Sequence, residues 1–526
     1  MRRKGLLLLV LIGLVLTSPV LVRQSTRKPA QTVRRDRALD MVPASAPLAV
    51  DLSAVVARWP ELRAEPKISA FQDAILACFG LDADLVPRLA GERTVMFLTR
   101  AQAPAPVIPV LLVFHPTDLA DTRTALAGVP QICSRVDGDL VWIGPAGSEA
   151  ALDALTRKEG PSLASALPVE EAENRLPPGG LVRGWVNPKA VVALLKDSSI
   201  NGGTAAMGML ADVVSANLAS VRYAAFRRDL IDGELTTDAI VAYDMTRLPA
   251  EVAQALDARD AGVFVAPEML EAADTRLGKA VAVVAFRPQA RALIPWLRYL
   301  AANNPHGPLR NAGFWVDDFE RRFGRNLERD LCDAIGERAW LLAIRPGNRL
   351  PPDLALVSEV RPAKTTEDTL TDLLAWTGEQ VMVSSFGAVI PTLWREQDNG
   401  PAIHGLSLRT PLGRASGPCF QLTEQFLFLA TSQEALAAGK TWFSRMASIE
   451  FIRDESSDEA ASGAILVRPS ALAGLIADAS RQTDEDFACL RNAIATLLGD
   501  AESLNARVYH DRDAIRLHGQ IRLASK

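Results

Sequence analysis

Residues 91–100 read Gly-Glu-Arg-Thr-Val-Met-Phe-Leu-Thr-Arg, and residues 336–345 read Gly-Glu-Arg-Ala-Trp-Leu-Leu-Ala-Ile-Arg. The same three residues open a turn into an apolar strand twice, which ties the chain to a tandem architecture before any chemistry is considered. The match extends backwards through Phe79-Gly80 and Phe323-Gly324, then Asp84-Leu85 and Asp330-Leu331. Forwards, each strand passes a Pro-containing loop and meets a second strand, 107–116 or 353–362, so each pair reads as a hairpin. A polar, helix-like segment follows in both places, at 117–128 and 363–376.

Further matches keep the same order. Segments 137–155 and 423–439 each read as strand, turn and helix, with Ser148 or Ser432 in the turn, and Cys133 and Cys419 precede the strand in each. Segment 179–195 matches 462–476, 221–243 matches 506–523 as closing hairpins, and 46–62 matches 279–297. Strand-to-helix junctions repeatedly place a polar residue before proline: Asn187-Pro188, Arg287-Pro288, Arg468-Pro469, His115-Pro116 and Arg361-Pro362. Proline suits a first helical position because its missing N–H has no intrahelical acceptor there. The pattern predicts an α+β fold, as two tandem copies of a largely antiparallel sheet with helices packed on one face. Copy one is placed at 38–245, a connector at 246–261 and copy two at 262–526. Copy two carries an insertion at about 377–425, expected as loops on one face.

The start of the chain is of another kind. Met1-Arg2-Arg3-Lys4 leads into an uncharged run, Gly5 to Val22. As a helix that run measures roughly 27 Å, near the thickness of a bilayer core. Residues 1–22 read as a signal-anchor helix, transmembrane or signal, because no small-x-small cleavage site follows the run. Residues 23–37 read as a basic juxtamembrane linker. The positive-inside rule weighs that linker toward a cytoplasmic body, whereas the short basic start resembles the n-region of an export signal. The expected location is the bacterial inner membrane, single-pass, with the body in the periplasm or outside the cell. Secretion after signal cleavage is the alternative.

Charge divides accordingly. Residues 1–37 carry nine Lys/Arg against Asp36, and the remainder has a net charge of −13. An acidic body argues against nucleic acid as a partner, since phosphate binding needs clustered cations. The five cysteines, Cys78, Cys133, Cys332, Cys419 and Cys489, form neither a zinc pattern nor a disulfide framework, and read as buried free thiols.

Chemical motifs are sparse. The five histidines make no H-E-x-x-H pair; His510 and His518 lie on the final hairpin, where a two-His metal site is the less favoured reading than surface imidazoles. Ser148 and Ser432 lack the G-x-S-x-G setting of a hydrolase nucleophile. The Gly-rich 201–208 segment has no Gly-Lys-Ser/Thr ending and reads as a loop. Asp317, Asp318 and Glu320 alternate with Trp315, Phe319 and Phe323 at helical spacing, as on a helix with one solvated face. Residues 454–460 lack the glycine of a calcium loop, and Thr483–Asp486 reads as a helix cap. Glu92 with Arg93, and Glu337 with Arg338, are expected to pair at their strand mouths, a weak and structural contact. No catalytic, cofactor-binding or metal residue is singled out, and no cofactor is expected.

The duplicated α+β unit, the strand at 137–144, the Ser432-Gln433-Glu434-Ala435-Leu436 helix start and the N-terminal anchor together resemble an uncharacterised bacterial domain-of-unknown-function family of exported or membrane-anchored proteins. The resemblance implies no catalytic residues. The functional expectation is a non-enzymatic, membrane-tethered envelope protein, held through residues 5–22 and binding a protein or lipid partner. The alternative is a hydrolase-like enzyme with a site assembled from distant loops.

Overall fold

The computed structural model describes residues 37–64, 68–70, 72–73, 76, 83–89, 93–99, 110–157, 160–193, 214–231, 234–257, 280–303, 311–344, 352–361, 364–397, 400–411, 413–446, 462–480, 488–499, 501–511 and 513–523. The expected anchor at 1–22 and linker up to residue 36, Gly91-Glu92, the 201–208 segment, Cys78, His306, segments 454–460 and 483–486, and the side chain of Cys489 lie outside the described residues. Among the described residues no helix is long and apolar enough to cross a membrane.

The fold is α+β with extensive antiparallel sheet. Its strands are β1 (Leu48–Asp51), β2 (Thr94–Leu98), β3 (Val110–Phe114), β4 (Ile132–Asp137), β5 (Leu140–Pro145), β6 (Val182–Val186), β7 (Val221–Ile231), β8 (Glu234–Tyr243), β9 (Ala280–Phe286), β10 (Ile335–Ile344), β11 (Asp353–Val360), β12 (Ile390–Glu396), β13 (Ile403–Thr410), β14 (Gly413–Leu422), β15 (Phe426–Ala430), β16 (Gly463–Val467), β17 (Ala501–Asp511) and β18 (Ala514–Leu523). The helices that matter below are α1 (Leu119–Ala127), α2 (Glu149–Thr156), α3 (Leu163–Ala166), α4 (Ala290–Asn303), α5 (Ala312–Phe323), α6 (Lys364–Ser384) and α7 (Gln433–Met446).

The chain separates into two compact units. Unit 1 holds the described residues up to Met245, together with those of Ile476–Ala501 and Ala514 onward; unit 2 holds Thr246–Leu475 and Glu502–Asp513. The last strand therefore belongs to the first unit rather than to the second stretch of sequence. In unit 1 the strand order is β4-β5-β3-β2-β1-β6-β7-β8-β18, every pairing antiparallel. In unit 2 the order is β12-β13-β14-β15-β11-β10-β9-β16-β17, again antiparallel throughout. Strand β18 is fastened to β8 by side chains as well as by its ladder: His518 Nδ1 lies 2.8 Å from Asp238 Oδ1, and Arg522 Nε donates to Glu234 Oε1 at 2.6 Å.

Helices cover both faces of each sheet, where the pattern of matches predicted one. Successive residues of a strand point to opposite sides, and in β5 both sides are buried. Leu140 and Trp142 join Phe97, Val113 and Leu152 of α2 in one cluster. Val141 and Ile143 join Phe114 and Ala125 and Leu126 of α1 in another. Strand β15 repeats this in unit 2. Phe428 and Ala430 pack with Ala435, Leu436 and Trp442 of α7, while Leu427 packs with Leu370 and Leu374 of α6. The physical reason is the composition of these strands: Leu-Val-Trp-Ile and Phe-Leu-Phe-Leu have no polar residue to leave for water, so neither side is free of a covering layer. Each large side chain removed from water contributes roughly 1.5–3 kcal/mol.

The expected looped insertion at 377–425 is instead regular structure. Helix α6 runs on to Ser384, β12 and β13 form a hairpin with Ile390 opposite Arg409, and β14 continues the ladder. The helix end is closed by two backbone bonds, Gly387 N to Met382 O (2.9 Å) and Phe386 N to Val383 O (3.1 Å). That closure needs a left-handed residue at Phe386, whose φ is 52°, a position at which glycine is the usual occupant.

Two glycines make room for aromatic rings across the ladder. Gly184 of β6 sits opposite Phe226, and Gly405 of β13 sits opposite Trp394. A Cβ on either would lie 2.2 Å from a ring carbon, too close for any contact. Gly184→Ala and Gly405→Ala are each expected to lower unfolding free energy by about 1–3 kcal/mol through overpacking, whereas Gly499→Ala, which meets open space, should not. Urea titration of the three variants checks this.

Candidate functional site

A cleft of about 570 Å³ opens in unit 1, within the range of small-molecule sites. Its walls come from separate parts of the sequence. Asp40 ends the short helix Arg37–Asp40, Arg93 enters β2, His115 follows β3, Asp139 sits in the β4–β5 turn, Trp142 lies on β5, and Ser162 precedes α3. Leu140, Met41, Val42 and Leu155 supply apolar surface. Backbone bonds fasten the walls together, from Leu163 N to Val42 O at 2.7 Å and from Ala44 N to Pro161 O at 2.9 Å.

The charged groups of the cleft are unequally engaged. His115 Nδ1 lies 3.2 Å from Asp139 Oδ2, with the Asp139 side chain 85% exposed, so water screens that contact. Arg93 holds the ladder through its carbonyl, which accepts from His115 N at 3.1 Å. Among the described residues its guanidinium has no hydrogen bond or ion pair. Beside it, Trp142 is 1% exposed and stacks edge-on to Phe97, and its indole N–H lacks an acceptor among the described residues. An unmet buried donor costs about 1–3 kcal/mol.

Unit 2 treats the corresponding arginine differently. Arg338 Nε donates to Glu359 Oε1 at 2.7 Å, and Glu337 pairs with Arg287 at 3.2 Å rather than with its neighbour Arg338. The expected Glu337–Arg338 pair is thus replaced by two partnerships with adjacent strands or their ends. Strand register explains the contrast with unit 1. Thr94 faces Phe114, which sets Arg93 against His115; Ala339 faces Ser358, which sets Arg338 against Glu359. Aligning the sequence on His115-Pro116 and Arg361-Pro362 conceals this, because it matches His115 with a residue two places beyond Glu359.

The other groups considered from sequence are structural. Ser432 Oγ donates to Asp353 Oδ2 at 2.6 Å and accepts from Ala435 N, capping α7; Ser148 is buried at the start of α2. His404 stacks on Phe420 with 4.9 Å between ring centroids and bonds Glu367 at 3.0 Å, so it is not a surface imidazole. His518 is committed to Asp238, and burial pushes the His510 imidazole below its usual range. Burial also raises the thiols, Cys332 to about 11 and Cys419 to about 12, which keeps both protonated and unreactive. On α5, Asp318 takes hydrogen bonds from Arg321 (2.8 Å) and Trp376 (3.3 Å), Asp317 pairs with Arg298, and Glu320 accepts from Leu327 N. Among the described residues no group of three or more His, Cys, Asp or Glu is placed to hold a metal ion.

Ser162, His115 and Asp139 line one cleft, which brings the residue types of a hydrolase triad together. Ser162 Oγ, however, accepts from Ser165 N at 3.3 Å as the cap of α3, and no hydrogen bond joins it to His115. In this geometry His115 is not bonded to the hydroxyl that it would have to activate. The cleft instead brings together one guanidinium, one imidazole, the carboxylates of Asp40 and Asp139, and the apolar side chains named above, a mixture that suits binding better. Comparison with protein families, curated proteins and solved structures found no match to this chain.

The two arginines should differ in energetics. A double-mutant cycle on Arg338→Met and Glu359→Gln is expected to give a coupling of about 0.5–1 kcal/mol, as for a partly exposed pair. The cycle on Arg93→Met and His115→Gln should give none within error, both measured by urea unfolding.

Proposed function

We propose that the protein is a non-enzymatic, membrane-tethered envelope protein, and that the unit 1 cleft is its ligand site. The ligand class is a small molecule with an anionic head and an apolar body. The observation that carries this reading is the Arg93 guanidinium, which has no ion pair among the described residues and lines the cleft with Leu140, Leu155 and Trp142, because a cation so placed in a partly apolar cleft favours an anion from outside. The body's other acidic residues discourage nucleic acid. Tethering rests on the apolar run 5–22, with the body on the outer side of a bacterial inner membrane.

Duplication of one α+β unit belongs to the same reading. It is supported by the ordered sequence matches and by two strand orders that correspond one for one, β4-β5-β3-β2-β1-β6-β7 with β14-β15-β11-β10-β9-β16-β17. On this view Glu359 neutralises the arginine in one copy, and His115 in its place frees the arginine of the other for binding. The resemblance to exported or anchored bacterial proteins accords with the tether. A hydrolase role is the weaker alternative, since the Ser162 hydroxyl is a helix cap.

Two measurements test the proposal. With the full chain in detergent, octanoate and octyl phosphate are expected to raise the melting temperature while octylamine does not. At about five times Kd the gain is roughly 1 kcal/mol, or about 2–4 °C, and Arg93→Glu should abolish it. No shift with any of the three amphiphiles would remove the cleft from consideration. Protease treatment of fractionated cells should cut the body once only the outer barrier is opened; protection until the inner membrane is breached would place the body in the cytoplasm instead.

A further inference from the structure

In unit 2 the turn between α6 and β12 is an apolar tip. Met382, Val383, Phe386, Ile390 and Leu393 are 42%, 67%, 98%, 55% and 48% exposed. Residues 380–394 contain no Asp, Glu, Lys or Arg. Phe386 is the least explicable of them on folding grounds. It holds a left-handed backbone that favours glycine, with φ of 52°, and its side chain packs against almost nothing. Neither the backbone nor the core of the described structure is served by a phenyl ring there.

The backbone of the tip is arranged as though water were not its solvent. Ser385 N donates to Val381 O, Phe386 N to Val383 O, Gly387 N to Met382 O and Ala388 N to Ser385 O, at 2.9–3.1 Å. Val389 N donates to Ser385 Oγ at 3.1 Å. The two serine hydroxyls donate in turn to Val381 O and Met382 O. Five consecutive amides and both hydroxyls thus donate within the tip, which an exposed turn in water does not require and a segment entering hydrocarbon does.

Charge at the margin identifies what the tip enters. Ile390 at the base of the tip is paired with Arg409 of β13, and Arg409 faces position 414, also arginine, across the β13–β14 ladder. The exposed Arg409 has no hydrogen bond or ion pair among the described residues. An apolar wedge with arginine beside it matches the boundary between acyl chains and anionic headgroups. A second copy of this chain fits less well. Strand β12 pairs only with β13 among the described strands, but Pro391 lacks an N–H, and Arg395 and Glu396 are exposed on it, features that oppose edge-to-edge pairing.

We propose that the α6–β12 tip, led by Phe386, inserts into the headgroup region of an anionic lipid bilayer. This contact is separate from the apolar run 5–22 and from the unit 1 cleft.

The test is local. The full chain is reconstituted into vesicles of phosphatidylethanolamine and phosphatidylglycerol, carrying the photoreactive residue p-benzoylphenylalanine at position 386 or, as a comparison, at the exposed position 321 on α5. Irradiation is expected to yield a lipid adduct at 386, severalfold above that at 321. A cross-linked dimer through 386, or lipid adducts no more abundant at 386 than at 321, would overturn the proposal. A second arm uses Phe386→Gly, which relieves the left-handed strain and so should raise the urea midpoint. With the photoreactive residue at Val383, this substitution should lower the lipid adduct severalfold while folding improves. An unchanged adduct would show that Phe386 does not lead the insertion.

Discussion

Burial on both sides of an antiparallel sheet is the constraint on which the rest of this structure depends. A strand with no polar face has to be sandwiched, and both units answer with a layer on each side of the strand: α1 and α2 about β5, and α6 and α7 about β15. The covering helices are themselves fixed by short polar devices. Asp118 caps α1 by accepting from Ala120 N and Asp121 N, and Ser432 caps α7. Packing at this density leaves little freedom, so the ladder admits Phe226 and Trp394 only where glycine faces them.

Much of the secondary structure was legible in the sequence, because each element carries its own local signal. The β2–β3 and β10–β11 hairpins, the strand–turn–helix units at Ser148 and Ser432, and the long closing strands stand where hydrophobic runs and polar-Pro junctions place them. The two-sided cover was also written there, in the unbroken Leu-Val-Trp-Ile run of β5, but a count of hairpins points to a one-sided sheet and outweighs it. The 377–425 insertion looked like a loop because Phe386, Gly387 and Pro391 break its pattern. In the structure those residues turn a helix into a strand rather than ending regular structure.

The cleft was much less legible. Asp40, Arg93, His115, Asp139, Trp142 and Ser162 come from six elements, and no local spacing unites them. Arg93 was visible as the third residue of a repeated turn, which argued for scaffold in both copies. What separates the two arginines is the residue across the ladder, and that is a matter of register. A slip of two places between the hairpins turns an ion pair in one unit into a cation without one, among the described residues, in the other. Chemistry here resides in a mismatch between similar elements, which a motif search passes over.

The pairing of β18 with β8 has a consequence for how the chain is made. Strand β8 ends at Tyr243, yet the strand that satisfies its outer edge begins at Ala514, close to the C-terminus. Throughout synthesis of the intervening chain, unit 1 has an open ladder edge bearing Asp238 and Glu234 without their partners His518 and Arg522 on β18. Asp238 keeps its ion pair with Arg227 of β7 at 3.1 Å, so Glu234 is the carboxylate left bare on that edge, where its charge disfavours pairing with the wrong strand. Strand β18, synthesised long after β8, then closes the unit that was begun first, and a chain cut short between Tyr243 and Ala514 leaves that edge open.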